Sequence, residues 1–212
     1  MIPLDPPLRE LDYVVVDVET TGGSWSRGHR ITEVAAVRLD GRGRFLAEYC
    51  TLVNPARPIP HYVSALTRIT DEMVRDAPRF HEVAVELRRV LCGAVFVAHN
   101  AGFDWRFLGA ELDRALSWQP AEPVLCTVRL ARRVVPEVRS RALGALTDYF
   151  GIVNEARHRA YGDARATGAL FRRLLERVEE REIRCWSGLE DLLRRRPPRR
   201  KRTALPTWME AV

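Results

Sequence analysis

Apolar and polar positions along this chain follow two periods, and the switches between them outline a fold. Tyr13-Val14-Val15-Val16 is a continuous apolar run, the pattern of a strand buried on both faces, and it leads into Asp17-Val18-Glu19-Thr20-Thr21-Gly22. A turn rich in Gly, Ser and Arg (Gly22 to Gly28) separates it from a second predicted strand, Arg30 to Leu39. Asp40-Gly41-Arg42-Gly43 is a hairpin signal, and Phe45 to Val53 reads as a third strand ended by Asn54-Pro55. Three consecutive strands with tight loops predict an antiparallel meander.

The period then becomes helical. Beyond Pro58-Ile59-Pro60, residues Val63 to Val74 read as short helices broken at Thr70-Asp71, either of which can cap the second. Phe80 to Leu91 is apolar at 80, 83, 84, 87, 90 and 91, the stripe of an amphipathic helix, with Gly93 where it would stop. Ala94 to Ala98 reads as a short buried strand, His99 to Gly102 as a loop and Phe103 to Leu116 as a helix. Val124 to Cys126 is the last predicted strand, followed by helices over Thr127–Val134, Arg141–Phe150 and Tyr161–Glu180. The order predicts an α/β fold, a mixed sheet whose antiparallel meander is extended by parallel strands and flanked by helices. Residues 1–180 are expected to form one domain. Residues 181–212 would then hold a short helix, with Trp186, Leu189, Leu192 and Leu193 on one side, and a basic tail.

Composition changes this picture little. The 212 residues, 46% hydrophobic, suffice for one sizeable core. The chain starts with neither a basic segment nor an apolar one, and no apolar run approaches the roughly 18 to 20 residues of a membrane span; a soluble cytoplasmic protein is expected. Cys50, Cys92, Cys126 and Cys185 are far apart, so buried reduced thiols are expected rather than zinc ligands or disulfides. The net charge of +6 is concentrated: residues 194–212 carry seven Arg or Lys against Glu210, leaving the first 193 residues neutral. That tail is expected to be extended and to tether a polyanion.

Candidate chemistry begins with Asp17 and Glu19. Residues two apart on a strand share a face, and adjacent carboxylates repel unless one stays protonated or a cation intervenes. Hard oxygen ligands suit Mg²⁺ or Mn²⁺; the plainer reading is a strand ending in solvated acids. Two further acids fall where strand carboxyl ends build sites in α/β sheets: Asp104 in the first turn of a helix after a strand, and Asp163 opening the long final helix. Each alone could be an acid favoured by a helix dipole. His158 is five residues before Asp163, about 140° around a helix, so the pair converges if His158 sits on a loop folded back over the acids.

In order, Asp-Val-Glu-Thr-Thr-Gly, His-Asn-Ala-Gly-Phe-Asp and His-Arg-Ala-Tyr-Gly-Asp-Ala resemble the three motifs of the DEDDh 3′→5′ exonucleases. The connectors Ile-Thr-Glu-Val-Ala-Ala-Val, Leu-x-Arg-Ile-Thr at Leu66 and Leu-Ala-Arg-Arg-Val-Val-Pro are similar too, and the likeness spans about residues 12 to 178. It implies a ribonuclease H-like fold and two Mg²⁺ or Mn²⁺ ions held by Asp17, Glu19, Asp104 and Asp163, with His158 as general base. It also implies substrate contacts from Thr20, Thr21, Leu66, Ile69 and Asn100. Arg159 stands where the related tyrosine branch carries Tyr, which favours the histidine branch; Arg68 replaces a frequent Gly, and Cys126 a frequent Asp.

The reading that follows is a metal-dependent 3′→5′ exonuclease acting on single-stranded or frayed 3′ ends of DNA in proofreading, replication or repair, similar to the epsilon subunit of bacterial replicative polymerases. Through its tail it would meet a polymerase or another replication partner, with Leu205-Pro206-Thr207-Trp208-Met209 as a docking peptide. The alternative within the family is an exoribonuclease that trims RNA ends, since acceptance of a 2′-OH depends on pocket shape. An inactive binding subunit on a nuclease fold would have lost a ligand, and all five positions are intact.

Overall fold

The apolar run at Tyr13 becomes the centre of the sheet. In the computed structural model, which describes residues 5–121 and 123–195, strand β1 (Tyr13–Thr20) lies between β2 (Ile31–Leu39), antiparallel to it, and β4 (Val95–Ala98), parallel to it. Strand β3 (Phe45–Leu52) pairs antiparallel with β2 at one edge, and β5 (Val124–Cys126) pairs parallel with β4 at the other. The order is β3-β2-β1-β4-β5, the expected meander extended by parallel strands. Eight α-helices and two 3₁₀ turns, at Leu8–Glu10 and Trp25–Arg27, complete the elements among the described residues: α1 (His61–Thr67), α2 (Asp71–Arg75), α3 (Phe80–Leu91), α4 (Gly102–Leu116), α5 (Thr127–Val134), α6 (Leu143–Tyr149), α7 (Ala160–Glu179) and α8 (Trp186–Arg194).

Strand parity divides β1 between two cores. Val14, Val16 and Val18 pack with Phe80 and Leu87 of α3 and Phe107 and Leu112 of α4. Tyr13 and Val15 pack on the opposite face with Leu130 of α5 and Leu170, Phe171 and Leu174 of α7. Asp17 and Glu19 share the parity of Tyr13 and Val15, so they emerge on the α7 side. Strand β4 pairs only with Tyr13 to Val15 of β1. The end of β1 that carries both acids therefore projects past its parallel neighbour.

Local chemistry explains two of the element ends. The Thr70 side chain caps α2 by accepting from the N–H of Met73 at 3.3 Å, as a threonine before a helix should. Arg68 closes α1 in the left-handed region (φ 60°), the conformation that glycine adopts without penalty.

Three expectations are corrected. The β1–β2 connection is not tight: Thr21 to Arg30 includes a 3₁₀ turn at Trp25–Arg27, and the N–H of Thr21 donates to the C=O of Arg30 at its base, 2.8 Å. The packed unit does not end at residue 180, because Leu189 of α8 is wholly buried in the α5–α7 core. Arg133 donates to the C=O groups of Leu192 and Leu193 at 3.1 and 3.0 Å. The N-terminal segment ties to the same region, through Leu8 N–H to Arg184 C=O (2.8 Å) and Trp186 N–H to Pro6 C=O (3.0 Å). Nor are the free thiols buried: Cys50 is exposed on the edge strand β3, and the other three are partly accessible. The basic run beyond Arg195 and the stretch Leu205–Met209 lie outside the described residues. Among the described residues, no helix is long and apolar enough to cross a membrane.

If α8 belongs to the core, Leu189→Ala should lower the unfolding free energy by about 2–5 kcal/mol, measured by urea denaturation. A loss below about 0.5 kcal/mol would return α8 to the status of an appendage.

Candidate active site

The site is built where β1 outruns β4. Past Val15 the edge of β1 has no parallel partner, and the N–H of Val18 is taken instead by Asp104 Oδ1 at 3.1 Å. Asp104 stands in the first turn of α4, 3% exposed, so a helix of one layer reaches the sheet end that faces the other. From that other layer comes α7, whose first turn carries Asp163. One carboxylate oxygen each from Asp17, Glu19 and Asp163 lies within 4.8 Å of the others.

This crowding is expressed as proton affinity. Burial raises the Asp17 carboxyl well above the usual carboxylate range, and the charges of Asp104, Glu19, Asp163 and Glu33 add to it. Burial also pushes Glu19 up to about 7, with Asp163 and Glu33 adding and Arg159 opposing. Asp104 is pushed up to about 8, because burial outweighs the N–H groups it accepts from. An all-oxygen donor set this close is the kind that Mg²⁺ or Mn²⁺ takes, so the residues fit a divalent cation.

Asp163 is held by the loop before α7. The Asn154 amide donates to Oδ1 at 2.6 Å and the N–H of His158 donates to Oδ2 at 3.1 Å. His158 lies outside the helix in the left-handed region, φ 60°. The loop approaches closely because residue 162 is glycine: a Cβ there would lie 2.4 Å from the C=O oxygen of Ala156.

The remaining sequence candidates divide. Leu66 is 55% exposed on α1, and exposed Asn100 lines a cleft with Trp25, Phe103 and Arg106. Ile69, in contrast, is fully buried in a small core with Ile59, Val63 and Val74, and presents no surface to a ligand. The Thr20 and Thr21 hydroxyls are turned inward rather than offered outward. Thr20 Oγ1 donates to the C=O of Gly22 at 2.8 Å, while Thr21 Oγ1 bonds His29 Nδ1 at 3.2 Å and accepts from Arg30 N–H at 3.1 Å. They hold the turn instead.

Two residues of the site are not among the sequence candidates. Glu33 of β2 is 3% exposed and directly opposite Glu19; its signal is the one acid in the strand Ile31–Leu39, set just before the apolar run Val34–Val37. Asn154 had no signal, being one amide in a polar loop.

The RNase_T family, described as Exonuclease, matches residues 14–171. A DNA polymerase III subunit epsilon-like protein of Rhodobacter capsulatus is 40% identical over 188 residues, which are 87% of this chain and 27% of that one. The 3′-5′ exonuclease DinG of Bacillus subtilis is 38% identical over 168 residues, 79% of this chain and 18% of the other. The chain thus spans less than a third of the length of these curated relatives. Exonuclease X, solved in complex with 5′ overhanging duplex DNA, has a TM-score of 0.67 at 27% identity, covering 85% of this chain and 99% of that one. The architecture is that of the ribonuclease H-like exonucleases.

The raised carboxyls carry a pH signature. The folded chain keeps protons that the unfolded chain releases at ordinary carboxylate pH. The stability they contribute is complete below that range and is lost as pH rises through about 7 for Glu19 and about 8 for Asp104. In chelator-treated protein, the melting temperature of Asp104→Asn should therefore gain on wild type between pH 5 and pH 9, and Mn²⁺ at pH 9 should reverse the order. A difference that stays constant across this range contradicts the burial argument.

Proposed function

The chain belongs to the RNase_T exonuclease family, and from that membership we propose that it hydrolyses DNA phosphodiester bonds stepwise from the 3′ end. The observation that carries the reading is the convergence of Asp17, Glu19 and Asp163 within 4.8 Å, with Asp104 locked to the same strand. The names of the relatives support the direction and the substrate: one is a 3′-5′ exonuclease, another a DNA polymerase III subunit epsilon-like protein.

In this reading Asp17, Glu19, Asp104 and Asp163 hold two divalent cations, Mg²⁺ or Mn²⁺. When bound, these supply a nucleophilic water at neutral pH and neutralise charge on the attacking and leaving oxygens. The protein does the positioning. Asp104, tied to the Val18 N–H, cannot swing away from β1. Asn154 and the His158 backbone fix Asp163, and Gly162 leaves room for them. His158 acts as general base, taking the proton of the attacking water; its N–H on Asp163 keeps its loop at the acids. Leu66 and Asn100 are the accessible residues that contact the terminal nucleotides, while Thr20, Thr21 and Ile69 shape the turn and the small core behind them.

The physiological setting that fits is removal of nucleotides from a frayed or single-stranded 3′ end during DNA synthesis or repair, with residues 196–212 as the segment that meets DNA or a replication partner. The DNA names among the relatives favour this over an RNA-trimming role.

A 5′-labelled single strand of DNA should shorten from its 3′ end only with Mg²⁺ or Mn²⁺ present, and Asp17→Asn or Asp163→Asn should fall to background while remaining folded. His158→Ala should lose about 10²-fold or more in turnover while remaining folded. Wild-type rates in Asp17→Asn would contradict the metal assignment, and a faster reaction on the matched RNA strand would move the substrate to RNA.

A further inference from the structure

We propose that Glu33 and Arg159 form a latch that positions the His158 loop over the acid cluster, an inference that rests on the exonuclease reading above. Neither residue is needed as a ligand. Both Glu33 oxygens are engaged by Arg159, at 2.6 and 3.2 Å to Oε1 and 3.1 Å to Oε2, and Oε2 also accepts the Ala160 N–H at 2.8 Å. The Glu33 side chain is 4% exposed and that of Arg159 is 34% exposed. This is the fork-to-carboxylate geometry that fixes direction as well as distance.

The latch has two consequences. The first is electrostatic. Glu33 lies opposite Glu19 in the β1–β2 register, so unpaired it would add a fifth negative charge to Asp17, Glu19, Asp104 and Asp163. Paired with Arg159 it is partly offset: Glu33 still pushes Asp17 and Glu19 up, while Arg159 opposes that push at Glu19. The second is mechanical. Helix α7 has no side-chain cap from its own N-cap residue, Arg159. The cap comes instead from β2, through Glu33 on the Ala160 N–H, so the helix start is registered to the strand beside the acids rather than to its own loop. His158 is the residue just before. Its left-handed backbone, φ 60°, is one that non-glycine residues seldom adopt, and such conformations persist where the surroundings over-determine them. Here its N–H is held by Asp163, and the next two residues are held by Glu33.

A β-bulge marks the same place. The β1–β2 register shifts between Glu19 and Thr20, pairing Glu19 with Glu33 but Thr20 with Ile31, so Thr32 is the extra residue. Bulges of this kind re-aim neighbouring side chains. Further along α7, the Tyr161 hydroxyl donates to Glu48 of β3 at 2.9 Å, and the Arg165 guanidinium lies 5.7 Å from the Phe45 ring centroid. Those contacts are more exposed than the latch.

The test uses Glu33→Gln, Arg159→Gln and the double variant in the full chain, with three readouts. Turnover on single-stranded DNA should fall about 10- to 100-fold in each single variant with KM little changed, the size expected when a supporting group is lost and a reacting group is misplaced by about 1 Å. Mn²⁺ affinity by calorimetry should stay within about threefold of wild type in the double variant, where the net charge beside the acids is unchanged and Asp17, Glu19, Asp104 and Asp163 are untouched. Amide exchange at His158 and Ala160 should accelerate about tenfold or more, a readout that needs no nuclease activity. Should a single variant unfold because it strands a buried charge, the double variant, which strands none, gives the same three readings. Turnover within threefold of wild type, together with unchanged exchange, would overturn the latch. So would a large loss of Mn²⁺ affinity in Glu33→Gln, which would make Glu33 a ligand. If the wild-type chain cleaves no DNA, the exonuclease reading fails while the exchange data still decide the latch.

Discussion

Mutual repulsion among buried carboxylates at the end of β1 is the constraint on which the rest of this structure depends. Each acid is delivered by a different element: Asp17 and Glu19 by strand parity, Asp104 by the first turn of α4, Asp163 by the first turn of α7. Bringing them together requires β1 to run past β4, so that Asp104 can take a backbone N–H that a neighbouring strand would otherwise claim. It also requires a glycine at 162, so that the loop bearing Asn154 and His158 lies on α7. The core on either side of β1 supplies the rigidity that prevents the acids from relaxing apart.

Charge is handled differently for different members of the cluster. Glu33 has an arginine of its own. Asp17, Glu19 and Asp104 have no such partner and respond by holding protons. A buried carboxylate without a counter-ion is costly, so a protein that keeps several together has a use for them that outweighs stability. Elsewhere the chain pairs its buried acids: Glu111, 4% exposed at its side chain, is forked by Arg30 and flanked by Arg114. The contrast separates acids that serve the fold from acids left without a counter-charge.

Much of this was legible in the sequence, for physical reasons that also mark where legibility stopped. Hydrophobic period reports which face of an element is buried, and helix Phe80–Leu91 is found with those boundaries. Parity alone placed Asp17 and Glu19 side by side. Period is silent about partners that meet through space, however. Glu33 could be seen as an anomaly in a strand, but not as the cap of a helix 127 residues later. The expected domain boundary at residue 180 gives way to a packed unit that Leu189 and the bonds from the N-terminal segment carry to Arg194. Ile69 and the two threonines were expected at the substrate because their motifs are; the structure turns their side chains inward, where they support the surface that a ligand would meet.

The central claim is that the acid cluster exchanges protons for divalent cations. Calorimetric titration of Mn²⁺ into metal-free protein, repeated at pH 7 in buffers of different ionisation enthalpy, measures that exchange directly. The account predicts binding with net release of protons, because Glu19 and Asp104, raised to about 7 and about 8, give theirs up when the metal arrives, and release that fades by pH 9. Binding with no proton release at pH 7, or no binding at all, would contradict it.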